Sequence, residues 1–88
     1  MINLVILGST GSVGRQTLEV VLQFPVRFRV IGLSAHTNID LLQKQINEFH
    51  PEVVGVTDLD AASRFRATNH PKVLVGTEAL LELASDER

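Results

Sequence analysis

The sequence predicts an α/β fold built on a partial parallel sheet of four short strands with alternating helices. Short apolar segments alternate with longer segments whose apolar residues recur at three- and four-residue intervals. A glycine-rich turn joins the first apolar segment to the first helical one, and Asn, Asp and Pro residues separate the later segments. Strands and helices in this order form right-handed βαβ units, which give a parallel, doubly wound sheet.

The N-terminal half contains the first two strands and the first helix. Residues 2–7 are apolar apart from Asn3 and predict the first strand, which we expect to be central in the sheet. Residues 12–23 predict a helix. Residues 26–34 begin with alternating polar and apolar residues and end in an apolar run, which is typical of a strand covered on both faces. This segment is the predicted second strand.

A second helix is predicted after Asn38, which is suited to cap its N-terminus, and Pro51 ends it. The apolar positions of this helix are spaced to form a single buried face. They are Ile39, Leu42, Ile46 and Phe49.

The remaining elements follow the same alternation. Residues 53–56 predict a short third strand, and Asp58 is a plausible cap for a third helix. The Asn-His-Pro sequence at 69–71 ends that pattern. Residues 72–75 then predict a fourth strand, and residues 77–84 a last helix.

Composition limits the classes of function. Eighty-eight residues form at most one small domain, residues 1–88. A net charge of −2 without a basic stripe argues against nucleic acid as a partner. The apolar runs are shorter than a membrane span, and no secretory signal is visible. No cysteine is present, which excludes disulfides and thiolate chemistry, so we expect a cytoplasmic location.

The turn GSTGSVG at residues 8–14 is the strongest functional motif. Gly8 would allow a tight turn after the strand, Gly11 would let a phosphate approach the backbone, and Gly14 would let the helix pack closely. The hydroxyls of Ser9, Thr10 and Ser12 add donors, and the helix N-terminus favours an anion. The motif therefore indicates a Rossmann-like site for a dinucleotide pyrophosphate. Its spacing differs from G-x-G-x-x-G, and a purely structural turn is the alternative.

A second candidate segment follows the second strand, where NAD-binding units place an acidic residue for the ribose. Residues 34–38 contain no carboxylate, so NADP is favoured over NAD. His36 would carry partial positive charge beside a phosphate. The alternative is that His36 is a solvated loop residue and Asn38 only a helix cap. His50 and His70 have no partner at metal-ligand spacing, and we predict no catalytic and no metal-binding residue.

Several segments together resemble the N-terminus of the 1-deoxy-D-xylulose 5-phosphate reductoisomerase family. They are LVILGSTGSVGRQTL at 4–18, FRVIGLSA at 28–35, Asn38, FHP at 49–51 and Val54. The resemblance maps the family's cofactor loop onto residues 10–13 and its second cofactor segment, often Gly-Lys-Asn, onto residues 36–38, where only Asn38 matches. The candidate cofactor-binding residues are Gly8, Thr10, Gly11, Ser12, Val13, Gly14, His36, Thr37 and Asn38.

The resemblance implies an NADPH-dependent oxidoreductase of the non-mevalonate isoprenoid pathway. Such an enzyme rearranges and reduces deoxyxylulose phosphate to methylerythritol phosphate with a divalent metal, Mg or Mn, and is a homodimer at full length. The family's metal-binding and substrate-binding residues lie beyond residue 88, so we expect a truncated piece that is inactive alone.

Two alternatives stay open. The chain could be a stand-alone NADP-sensing module, or the N-terminus of another NADP-dependent oxidoreductase such as a semialdehyde dehydrogenase or an extended short-chain dehydrogenase. The register of residues 34–38 speaks against both of these dehydrogenases.

Overall fold

Strands and helices alternate along the part of the chain that the computed structural model describes, residues 1–69, 71–77 and 81–82. The predicted strands and first three helices are confirmed, with ends shifted by at most a few residues. The predicted helix over 77–84 lies mostly outside the described residues. Within that range, the described residues Leu81 and Glu82 are helical. The elements are β1 (Ile2–Ile6), α1 (Ser12–Gln23), β2 (Phe28–Ala35), α2 (Ile39–Phe49), β3 (Val53–Val56), α3 (Leu59–Arg64) and β4 (Lys72–Val75).

The four strands form one parallel sheet in the order β1-β2-β3-β4. Ile6 pairs with Leu33, and Ala35 pairs with Val56, so the carboxyl ends of neighbouring strands lie side by side. The expectation that the first strand is central is wrong for the described sheet. Each successive strand is added beyond the previous one, which leaves β1 at an edge.

Side chains cap two of the described helices as the sequence predicts. The Oδ1 atom of Asn38 accepts a hydrogen bond from the backbone N–H of Leu41, at 3.2 Å, at the start of α2. The Oδ2 atom of Asp58 accepts one from the N–H of Ala61, at 2.9 Å, at the start of α3. These bonds satisfy amides that have no partner within the helix. Helix α2 ends at Phe49, and its C-cap residue His50 has a left-handed φ of 51°.

The hydrophobic core lies between the sheet and the helices α1, α2 and α3. Leu42 and Ile46 on α2 are fully buried, as are Leu33 on β2 and Val54 on β3. Strand β2 is buried along most of its length because it has a strand on either side and α2 packed against it. These buried contacts therefore fix the carboxyl end of β2, which residues 36–38 follow directly.

We expect Leu42→Ala to lower the free energy of unfolding by about 3 kcal/mol, because it removes a buried side chain and leaves a cavity. Leu59→Ala is the matched control. Its side chain is 69% exposed, so its truncation should cost less than about 0.5 kcal/mol. Urea denaturation of both variants measures the difference, and equal costs would contradict this account of the core.

Candidate functional site

The glycine turn between β1 and α1 has a tightly constrained backbone. Gly8 has a φ of +69°, a left-handed conformation that glycine adopts without strain. Gly14 sits against the turn itself, since a Cβ there would lie 2.7 Å from the Cα of Ser9 and would also collide with the carbonyl oxygen of Gly8. The roles predicted for these two glycines, a tight turn and close helix packing, agree with this geometry. The first turn of α1 therefore rests directly on the backbone of residues 8–9.

Gly11 differs from its two neighbours in the motif. Its φ of −78° suits any residue, and a Cβ there would meet only the carbonyl oxygen of Gly8, at 3.4 Å. It is the N-cap of α1, where no side chain accepts a hydrogen bond and no acidic residue occupies the first turn. The first helical amides, those of Ser12, Val13 and Gly14, have no acceptor within the helix. Gly11 thus leaves the positive end of α1 open to an approaching anion.

A buried network of hydrogen bonds fixes the residue inside this turn. Ser9 is fully buried, and its N–H donates to the carbonyl oxygen of Ser34, at 2.8 Å. Its Oγ donates to Oε1 of Gln45, at 2.7 Å, and lies 3.1 Å from the oxygen of Ser34. The Nε2 of Gln45 donates to the carbonyl oxygen of Ser9, at 2.8 Å. The N–H of Gly8 donates to Oγ of Ser34, at 2.8 Å.

This network corrects one expectation from the sequence. Ser9 was expected to offer its hydroxyl to an anion, but that hydroxyl is turned inward and bonded to Gln45. Sequence reasoning also missed Ser34 and Gln45. The sequence did contain a signal for Gln45. It is a polar residue on the inner face of α2, directly before the buried Ile46 and three residues after the buried Leu42. A buried amide at such a position requires partners.

The second candidate segment, residues 36–38, lies beside the glycine turn because β1 and β2 are paired neighbours. His36, Thr37 and Asn38 are all exposed. The side-chain oxygen of Asn38 is occupied by the helix cap, which leaves its NH2 group to donate to a ligand. The two segments thus converge on the same carboxyl edge of the sheet.

His36 makes a contact that the sequence did not reveal. Its Nδ1 lies 2.7 Å from Oγ1 of Thr57, the residue after β3. The N–H of Asp58 donates to the carbonyl oxygen of His36, at 3.2 Å. A cavity of about 550 Å³ opens beside them, lined by His36, Thr57, Asp58, Leu59, Asp60, Val75, Gly76 and Thr77. Parallel pairing of β2 with β3 explains why these distant residues meet.

The candidate binding residues of the glycine turn differ in how exposed they are to solvent. Gly8, Gly11, Ser12 and Val13 are exposed, Thr10 is half-buried, and Gly14 is buried against the turn. Among the described residues no group of three or more His, Cys, Asp or Glu side chains could hold a metal ion. No described helix is long and apolar enough to span a membrane.

The parallel sheet and the open glycine turn at its carboxyl edge place this chain among the Rossmann-like α/β units. The family model described as 1-deoxy-D-xylulose 5-phosphate reductoisomerase matches residues 4–88. The chain belongs to this family, and the resemblance seen in its sequence is confirmed.

Individual relatives agree with this assignment. The chain is 47% identical to a 1-deoxy-D-xylulose 5-phosphate reductoisomerase of Caldanaerobacter subterraneus subsp. tengcongensis, over 99% of this chain and 23% of the relative. It is 45% identical to that of a Thermoanaerobacter species, over 94% of this chain and 22% of the relative. The chain therefore spans less than a quarter of the length of these relatives.

Solved structures share the fold. A crystal structure of DOX-P reductoisomerase in complex with NADPH, fosmidomycin and magnesium superposes with a TM-score of 0.82 at 32% identity, covering 99% of this chain and 22% of that one. The Zymomonas mobilis enzyme in complex with NADPH superposes with a TM-score of 0.82 at 26% identity, covering 94% and 23%.

The contrast between two glycines gives a prediction about stability. We expect Gly14→Ala to lower the free energy of unfolding by about 2 kcal/mol or more, because the new Cβ would collide with the backbone of the turn. Gly11→Ala should cost less than about 1 kcal/mol, since its Cβ has room. Thermal unfolding of the two variants tests this, and a larger loss at position 11 would contradict the geometry described above.

Proposed function

We propose that residues 1–88 form the N-terminal NADPH-binding portion of a 1-deoxy-D-xylulose 5-phosphate reductoisomerase. The observation that carries the proposal is the open N-terminus of α1 beside Gly11, on a turn whose shape is fixed by buried hydrogen bonds. Family membership and the NADPH complexes of two structural relatives support it.

In this proposal the glycine turn binds the pyrophosphate of the cofactor. The amides of Ser12 and Val13 donate to its oxygens, aided by the helix dipole, and the hydroxyls of Thr10 and Ser12 lie on the same turn. Gly11 lets the phosphate approach the backbone, because it carries no Cβ on the exposed side of the turn. Gly8 and Gly14 act indirectly by shaping the turn.

The adenosine end of the cofactor lies along residues 36–38. No carboxylate occupies this segment, and the Asn38 amide, the Thr37 hydroxyl and the His36 ring are donors for a 2′-phosphate. The cavity beside His36 offers room for the rest of the adenosine. One carboxylate oxygen of Asp58 on its wall is engaged by the N–H of Ala61.

NADPH supplies a hydride in the reduction, and the described residues only bind and orient it. The proposed reaction rearranges and reduces deoxyxylulose phosphate to methylerythritol phosphate, an isoprenoid precursor. Because the chain spans 22–23% of its relatives, we assign the substrate and a divalent metal, Mg or Mn, to the rest of the enzyme. A full-length homodimer and a cytoplasmic location are part of the proposal.

The binding experiment is a calorimetric titration of the intact protein with 2′,5′-ADP, with 5′-AMP as the control ligand that differs from it only by lacking the 2′-phosphate. We expect 2′,5′-ADP to bind at least about tenfold more tightly. Gly11→Ala should weaken both ligands, because its Cβ would face the phosphates, whereas Gln23→Ala at the other end of α1 should leave both unchanged. Equal binding of the two ligands would remove the NADP assignment, and no binding would overturn the proposed function.

A fixed positive charge in the second segment should strengthen recognition of the 2′-phosphate. Thr37→Lys is expected to tighten 2′,5′-ADP binding about fivefold, with little gain for 5′-AMP. The gain should shrink at high salt, since the site is exposed. Thr37→Gln is the control, because glutamine is similar in size to lysine but carries no charge. A gain that is equal for both ligands would show that residue 37 does not face the 2′-phosphate.

A further inference from the structure

We propose that Gln45 is the positioning residue of the cofactor site, acting through Ser9 to hold the pyrophosphate turn in its binding shape. This inference rests on the proposed function. Gln45 does not belong to the predicted site, and it is too deeply buried, at 6% exposure, to touch a ligand at the surface of the turn.

The contact between Gln45 and the turn is reciprocal. The amide of Gln45 donates through Nε2 to the carbonyl oxygen of Ser9 and accepts through Oε1 from its hydroxyl, at 2.8 and 2.7 Å. Both polar ends of the side chain are therefore used on one residue. A buried amide is costly without such partners, so losing either hydrogen bond to Ser9 would leave a buried polar group of Gln45 unpaired.

Ser9 is held from its other side by β2. Its N–H donates to the carbonyl oxygen of Ser34, at 2.8 Å, so its N–H, its carbonyl oxygen and its hydroxyl are all bonded. Gly14 packs against the Cα of the same residue. The direction in which α1 leaves the turn, and with it the direction of its first amides, therefore depends on where Ser9 is held.

Helix α2 also connects the two parts of the proposed site. It begins at Asn38, in the proposed 2′-phosphate segment, and reaches Gln45 two turns later. Seven residues of helix span about 10 Å. A rigid helix bonded to both loops fixes their separation, which suits one ligand that contacts both.

Steady-state kinetics on the intact enzyme tests this role. Gln45→Met keeps the length of the side chain and removes both hydrogen bonds. We expect the KM for NADPH to rise about tenfold, with kcat and the KM for the sugar phosphate unchanged within about twofold. Ile46→Val is the control, because it perturbs the adjacent buried residue of α2 without touching Ser9. Its KM for NADPH should not change.

Gln45→Glu separates positioning from general support of the fold. A protonated carboxyl has the same shape as the amide and can also accept from the Ser9 hydroxyl and donate to its carbonyl oxygen. A buried carboxyl has a raised pKa, so it gains its proton as the pH falls from about 8.5 to about 6. The KM of this variant for NADPH should therefore return toward the wild-type value at the lower pH, while the wild-type KM changes less.

Three results would overturn the inference: an unchanged KM for NADPH in Gln45→Met, a matching rise in the KM for the sugar phosphate, or no recovery of Gln45→Glu at low pH. If Gln45→Met does not fold, Ser9→Ala removes the same hydroxyl bond with a smaller change and should show the same selective rise. Binding of 2′,5′-ADP to the wild-type protein tests the proposed cofactor site separately from the role of Gln45. Tight binding of 2′,5′-ADP by wild type with an unaffected variant refutes only the role of Gln45.

Discussion

The hydrogen bonds on the backbone of Ser9 determine the shape of the glycine turn. They come from two directions, from Ser34 at the end of β2 and from Gln45 on α2. Each group is buried, and a buried polar group left without its partner costs about 1–3 kcal/mol. The turn is thus fixed before any ligand arrives, and binding then loses little conformational freedom.

The second determinant of the candidate site is that the N-termini of the helices are capped differently. Parallel strands direct the following helices so that they all begin at the carboxyl edge of the sheet. Asn38 and Asp58 cap α2 and α3 with their side chains, whereas α1 begins at a glycine with no side-chain cap. Of the three described helices of the sheet, α1 alone begins with neither a side-chain cap nor an acidic residue in its first turn. This difference supports the proposal that the anion site lies at the start of α1.

The sequence predicted what depends on local pattern. Helix α1 and strands β3 and β4 were predicted with their observed ends, and the caps at Asn38 and Asp58 follow from residues a few positions apart. The resemblance to the reductoisomerase family also followed from the sequence, through contiguous motifs.

What the sequence did not predict depends on contacts between distant residues. The burial of Ser9 requires Gln45, thirty-six positions away, and the contact of His36 with Thr57 requires the pairing of β2 with β3. The edge position of β1 depends on strand order, which no local pattern encodes. The polar character of Ser9 suggested a ligand donor, whereas its burial gives it a structural role.

The two candidate segments differ in how tightly their residues are tied to the interior of the fold. Residues 36 and 37 are exposed, and few hydrogen bonds of the fold pass through their side chains, so many residue types are compatible with folding there. Residues 8, 9 and 14 are tied to the interior by conformation, bonding and contact. A substitution at residue 36 or 37 can therefore change the contacts offered to a ligand at low cost to folding, whereas a substitution at residue 8, 9 or 14 changes the turn itself.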